Sequence, residues 1–191
     1  NSGRAFANLR AAFPGGWDDV RRAEAGEIAD AIRAGGLADM KAPRIKAILQ
    51  ELHDRTGETS LECLAGLSDE EIRKFLISFK GIGPKTAACI LMFNLGRPIL
   101  AVDTHVHRVA KRLGLIGPKV TADQAHDLLQ ALLEDSQVYS FHVHMIEHGR
   151  KICHAQRPQC GICPVQGECD FYAGRLWAEN GESDFERIGV P

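Results

Sequence analysis

Phe79-Lys80-Gly81-Ile82-Gly83-Pro84-Lys85-Thr86-Ala87 is a short glycine turn that opens into an apolar helix. Upstream, Leu67 to Ile77 reads as a helix with Ser68 as N-cap and Glu70-Glu71 in its first turn. Downstream, Ala87, Ala88, Ile90, Leu91 and Phe93 form a stripe at helical spacing, expected to be buried. Gly81 and Gly83 free the backbone to turn tightly and approach a ligand. Pro84 suits the first helical position, which puts Lys85 among the unpaired N–H groups of the first turn. The pattern is a helix-hairpin-helix, whose second helix offers an anion site at its N-terminus.

Around this turn the 191-residue chain is 45% hydrophobic but only 6% aromatic, and its recurring Ala and Leu favour helix over sheet. A net charge of −2 and a pI near 6.5 exclude a polycation, so nucleic-acid binding would need a local basic face. No apolar run approaches the roughly 20 residues of a membrane span, and no signal peptide is evident, so a cytoplasmic (nucleoid-associated, if bacterial) monomer is expected.

Helical periodicity extends through most of the chain, with no strand pattern of weight. Asn1 to Phe13 reads as a helix ended by Pro14-Gly15-Gly16, and Gly26 to Ala34 as one that stops at Gly35-Gly36. Leu37 to Thr56 is expected to break near Pro43. Ile99 to Val102 is a short apolar connector, and Asp103 caps a helix from Thr104 to about Leu115. Two further helices follow, the last running into Cys153. The expectation is an all-α protein divided near Arg97-Pro98, into residues 1–97 and 98–191. Trp177 and Phe185 are candidate docking points in a Gly- and charge-rich tail.

Cys63 and Cys89 lie in apolar helical settings, where buried inert thiols are expected. Cys153, Cys160, Cys163 and Cys169 are spaced C-x6-C-x2-C-x5-C. Without a secretion signal, clustered cysteines favour metal ligation over disulfides. Four-thiolate zinc sites usually use two C-x2-C pairs, and here there is one; the asymmetric spacing better suits a [4Fe–4S] cluster, with zinc and disulfides as alternatives. Arg150, Lys151, His154 and Arg157 flank the first ligands, offering charge to offset thiolates or to meet phosphate.

Gly81-Ile82-Gly83-Pro84-Lys85-Thr86-Ala87, then Ala101-Val102-Asp103-Thr104-His105-Val106, then His148-Gly149-Arg150 leading into the cysteines resembles the endonuclease III family of helix-hairpin-helix DNA glycosylases, from about Ser2 to Cys169. The resemblance implies two helical lobes, a six-helix-barrel lobe carrying the hairpin and an iron–sulfur cluster lobe, with DNA in the cleft between them. It implies double-stranded DNA bearing a damaged base or abasic site as partner, and a structural [4Fe–4S] cluster on the four cysteines. The damaged base would be flipped out of the stack to expose its sugar carbon. The family also carries a further N-terminal segment, expected to be missing here.

By the same resemblance Lys85 matches the nucleophile that attacks C1′ to give a Schiff base, and Asp103 the carboxylate that assists it. A helix N-terminus and partial burial would both favour the neutral amine that attack requires. Each residue also has a plainer reading: Lys85 as a phosphate contact, Asp103 as an N-cap. Leu37, after Gly36, aligns with a wedge that enters the DNA stack, but equally suits the first core residue of the next helix. Gly81 and Gly83 are read as backbone contacts to DNA, His105 as a lesion-pocket residue, and Arg108, with His107, Lys111 and Arg112, as a phosphate-facing surface; Arg150 joins this DNA-binding set. His142, His144 and His148 share helical spacing without a metal-site pattern. The function expected is a glycosylase with abasic-site lyase activity on oxidised pyrimidines. The alternatives are a monofunctional adenine or mismatch glycosylase, against which Lys85 argues, and a non-catalytic DNA-binding module.

Overall fold

A computed structural model describes residues 1–174, and all regular structure among them is helical. The tail positions Trp177 and Phe185 lie outside the described residues. None of the described helices is long and apolar enough to cross a membrane.

The chain forms two compact units, Asn1–Gly83 and Pro84–Pro191. The first holds α1 (Ser2–Ala12), α2 (Trp17–Arg22), α3 (Ala25–Ile32), α4 (Ala38–Thr56) and α5 (Asp69–Ile77). Its core gathers Leu9, Val20, Ile28, Ile32 and Ala42, and burying one side chain such as Ile28 stabilises the fold by about 1.5–3 kcal/mol. A reciprocal capping box starts α3, where Glu24 and Glu27 each satisfy the other's backbone N–H. Contrary to the expected break, α4 runs unbroken through Pro43. The missing proline N–H removes one bond in the second turn, and Ala38 and Ala42 still anchor the helix start in the core.

Ser68 caps α5 as its sequence requires. Its Oγ accepts the Glu71 N–H, and the Glu71 carboxylate accepts the Ser68 N–H at 2.9 Å. The Ser68 hydroxyl, which also donates to that carboxylate at 2.6 Å, and then the Ser68 N–H hold the Glu71 carboxyl below its ordinary range. Phe79, at the end of α5, is buried edge-on against Phe75 under the Arg55 guanidinium. The Ile82 N–H then closes the turn onto the Phe79 carbonyl at 3.1 Å. Cys63, expected to be buried, is exposed; the short 3-10 turn Glu62–Leu64 sends Leu64 inward instead.

The second unit begins with α6 (Pro84–Cys89) and continues through α7 (Thr104–Leu113), α8 (Ala122–Gln130) and α9 (Asp135–Lys151). Its core includes Ala88, Met92, Leu100, Val106, Leu129 and Val138. Because Ala88 and Met92 belong to this core, the units divide at Gly83–Pro84; Arg97-Pro98, the expected division, lies inside the second unit.

Candidate active site and cysteine pocket

Lys85 occupies the first turn of α6 and is exposed. The partial burial expected for it is not found: Ala87 and Ala88 take the inward face, which leaves Lys85 and Thr86 outward. Beyond α6 the helix widens into a π-turn over Ile90–Asn94, closed by the Leu95 N–H on the Ile90 carbonyl. The widened turn carries Phe93 off the buried stripe, to 50% exposure, while Leu91 and Met92 stay inside. The predicted burial of Phe93 is thereby corrected.

Asp103 is the N-cap of α7. Its Oδ1 accepts the N–H groups of both His105 and Val106 at 2.8 Å, which fixes the carboxylate's direction. Among the described residues Oδ2 makes no hydrogen bond, so it is free to meet a substrate. The lead-in segment Leu100-Ala101-Val102 is buried, as its apolar run predicts.

His142 of α9 is the buried polar residue here, 2% exposed, and sequence reasoning set it aside. Its Nδ1 lies 2.7 Å from the Ala101 carbonyl. A carbonyl only accepts, so Nδ1 carries the proton and donates. The Phe93 ring stands edge-on to the imidazole with centroids 5.4 Å apart. Desolvation pushes the His142 pKa down; the Ala101 bond and the Asp103 charge oppose this, and the Lys85 charge adds to it. A signal existed in the sequence: His142 sits four residues after Val138 and three before Met145, on the core stripe of its helix.

His105 and Arg108 are tied into this unit. The Arg108 Nη2 donates to His105 Nδ1 at 3.1 Å and to the Gly149 carbonyl at 2.9 Å, while Nε donates to the Cys153 carbonyl at 3.1 Å. The Arg108 Nε and Nη2 donors are thus occupied within this unit, while Nη1 reaches the Thr104 carbonyl at 3.4 Å on the exposed side. The accepting Nδ1 leaves any single ring proton of His105 on Nε2. Arg112, one turn on, donates to the His154 and Ala155 carbonyls and to Cys153 Sγ at 3.2 Å, with its guanidinium over the Phe171 ring. His107 is engaged too, with Nε2 at 2.9 Å from the Val120 carbonyl. Arg150 is exposed at the end of α9, as its expected role requires.

Cys153, Cys160, Cys163 and Cys169 line one pocket, together with Val109, Ile152 and Phe171, around about 350 Å³ of space including its mouth. Among the described residues no group of three ligand side chains converges tightly enough to hold a single metal ion. Four cysteines lining one pocket offer the four thiolates that an iron–sulfur cluster takes. Arg112 at Cys153, and His148 Nε2 at 3.7 Å from Cys163 Sγ, provide polar contacts beside the thiolates. The donor set fits an iron–sulfur cluster.

In the first unit, Leu37 adopts a left-handed conformation, φ +55°, just before α4. Its side chain is 67% exposed, whereas Ala38 beside it is 5% exposed. The core-residue reading of Leu37 is thereby excluded, and Ala38 takes that part. Gly81 has φ +94°, a conformation few residues other than glycine adopt, and an added Cβ would meet Arg44 at 2.8 Å.

Comparison with known proteins places this geometry. A family model described as "HhH-GPD superfamily base excision DNA repair protein" matches residues 3–135, and one described as "Iron-sulfur binding domain of endonuclease III" matches residues 153–169. "Putative DNA glycosylase At3g47830" of Arabidopsis thaliana is 42% identical over 181 residues, covering 90% of this chain and 61% of that protein, so the chain spans less than two thirds of this relative. Endonuclease III of Thermotoga maritima is 33% identical over 157 residues, covering 82% of this chain and 69% of that protein. The solved structure "Structure of a Trapped Endonuclease III-DNA Covalent Intermediate: Estranged-Adenine Complex" superposes with a TM-score of 0.75 at 28% identity, covering 90% of this chain and 76% of that one. With the hairpin, the capped aspartate and the cysteine pocket in the matched segments, the chain belongs to the HhH-GPD superfamily of base excision DNA repair proteins and, within it, to the endonuclease III family.

Proposed function

We propose that this chain is a DNA glycosylase with an associated abasic-site lyase activity, acting on oxidised pyrimidines in double-stranded DNA. The observation that carries the reading is the Asp103 carboxylate, fixed at the start of α7 by two backbone N–H groups at 2.8 Å with Oδ2 uncommitted, in the same unit as Lys85 in the first turn of α6. The likeness to an endonuclease III trapped in a covalent intermediate with DNA supports a covalent route.

In this reading Lys85 Nζ gives up a proton and attacks C1′ of the damaged nucleoside. The N-glycosidic bond breaks and the base leaves with its electron pair and takes up a proton; the C1′–O4′ bond then breaks, O4′ takes a proton given up by Nζ, and C1′ remains as a Schiff base on Nζ. Removal of a C2′ proton then expels the 3′ phosphate by β-elimination, and water hydrolyses the Schiff base to return Lys85. Asp103 Oδ2 stabilises positive charge developing on the sugar and relays protons at Nζ. Gly81 and Gly83 let the hairpin backbone approach a phosphate, Arg150 adds a cation, and Leu37 enters the stack in place of the flipped base. Cys153, Cys160, Cys163 and Cys169 would hold the cluster, which when bound would brace the loops that carry them.

Borohydride trapping on an abasic duplex tests the assignment. A covalent adduct is expected with the wild type and none with Lys85→Ala. An undiminished adduct in Lys85→Ala overturns the nucleophile, and salt-sensitive binding without nicking in the wild type favours a non-catalytic module.

A further inference from the structure

The His142 ring bridges two segments that each deliver a proposed catalytic group. Its Nδ1–H meets the Ala101 carbonyl at 2.7 Å, two residues before Asp103. Its face meets the edge-on ring of Phe93, on the π-turn that continues the helix bearing Lys85. Ala101, Val102 and His142 are all buried, so no water is at hand to replace the bond. The connector from Ile99 to Asp103 has no helix or strand of its own to set its path. Its other side-chain ties lie earlier: Gln130 and His126 of α8 hold Leu100, through its N–H at 2.7 Å and its carbonyl at 2.9 Å respectively. The His142–Ala101 bond is the tie nearest to Asp103.

We propose that His142 is a positioning residue of the active site, whose Nδ1–H holds the Ala101 carbonyl and so sets the approach of Asp103 to the reacting sugar, while its ring packs the Phe93 turn behind Lys85. The inference rests on the proposed roles of Lys85 and Asp103. His142 itself touches no reacting atom: it acts through the backbone of the connector and through Phe93. A hydrogen-bond donor at the Nδ1 position is the needed property, and asparagine supplies one in nearly the same place through its side-chain amide. Leucine fills the same space with no donor.

The test compares wild type, His142→Asn and His142→Leu on an abasic duplex, following the single-turnover rate of borohydride-trapped adduct alongside duplex affinity and iron per chain. His142→Leu is expected to slow trapping by about tenfold or more, since small misplacements of a catalytic group cost up to about a hundredfold, with Kd and iron content unchanged. His142→Asn is expected to recover most of that loss. Equal rates in wild type and His142→Leu, or an Asn variant no faster than the Leu variant, overturn the inference. Lys85→Ala, run in parallel, separates the two claims. Undiminished trapping there refutes the nucleophile, whereas lost trapping with a fully active His142→Leu refutes the positioning role alone. Wild-type protein gives a check independent of how the variants fold. Nitrogen NMR of the His142 imidazole is expected to show the proton on Nδ1 at neutral pH, and a proton on Nε2 alone excludes the proposed bond.

Discussion

Gly149 and His105 pack so closely that a β-carbon on Gly149 would lie 3.0 Å from the His105 Cβ and 3.1 Å from an Arg108 guanidinium nitrogen. α7 and α9 approach at this point because no side chain separates them. Gly149→Ala is therefore expected to force the helices apart and to destabilise the protein by about 1–3 kcal/mol, read as a lowered urea midpoint. Because His105 lies two residues from Asp103, the lyase rate should fall with it. An unchanged midpoint refutes the packing account.

The two functions of Asp103 separate by substitution. Asparagine caps a helix about as well as aspartate, so Asp103→Asn is expected to hold stability to within about 0.5 kcal/mol while the trapping rate falls sharply. Asp103→Ala should lose the rate and about 1 kcal/mol of stability as well. Paired denaturation and single-turnover measurements distinguish them, and an Asn variant of full activity would mark Asp103 as a cap alone.

Leu37 carries a backbone cost that its packing does not repay. Leu37→Gly is expected to leave stability level or raise it by up to about 1 kcal/mol, since glycine adopts φ +55° without the steric penalty. The same change removes an exposed apolar side chain. Fluorescence of a 2-aminopurine beside the lesion should show a smaller rise on binding, if Leu37 fills the vacated stack.

Much of this layout is legible in the chain, and the misses have particular causes. Ser68, Asp103 and the glycine turn announce themselves because caps and tight turns depend on residues a few positions apart. The cysteine spacing does the same. Leu37 is less transparent: whether an apolar residue after Gly-Gly faces in or out depends on one backbone rotation, and the left-handed turn hands the core position to Ala38. Phe93 fits the buried stripe only if the helix keeps its ordinary pitch, and the π-turn removes that condition. Arg108 and Arg112 look like a phosphate-binding face at helical spacing. Most of their carbonyl partners lie more than forty residues away in sequence, where local reading does not reach.

His142 gives a pH dependence of definite sign. Its pKa is lowered in the folded protein, chiefly by burial, from an ordinary value of 6.5. Below that value the unfolded chain binds the proton and the folded chain resists it, so stability falls as pH drops from 6.5 toward the lowered folded pKa. It is unaffected by this group above 6.5. The slope from one such histidine is at most about 1.4 kcal/mol per pH unit. Urea midpoints at pH 7.5 and 5.5 should diverge more in wild type than in His142→Asn. Equal divergence in both removes His142 as the source.

Arg112 ties the first cysteine loop to α7 through two carbonyls and the Cys153 sulfur. Arg112→Ala removes those bonds, two of them part-buried and the one to Ala155 exposed, at about 0.5–1.5 kcal/mol for each part-buried one. Lower iron per chain and faster loss of visible absorbance under a chelator are expected. Full iron retention would show that the loop holds itself.

α7 begins at the Asp103 cap and ends one residue after Arg112, spanning about 15 Å as a single rigid rod. One end aims a carboxylate, and the other is bolted to the cysteine loop. A rod of this kind converts displacement at one end into tilt at the other. Loss of the cluster should therefore misalign Asp103 while the helix itself remains intact, so that activity would decline before unfolding and could return when iron and sulfide are restored.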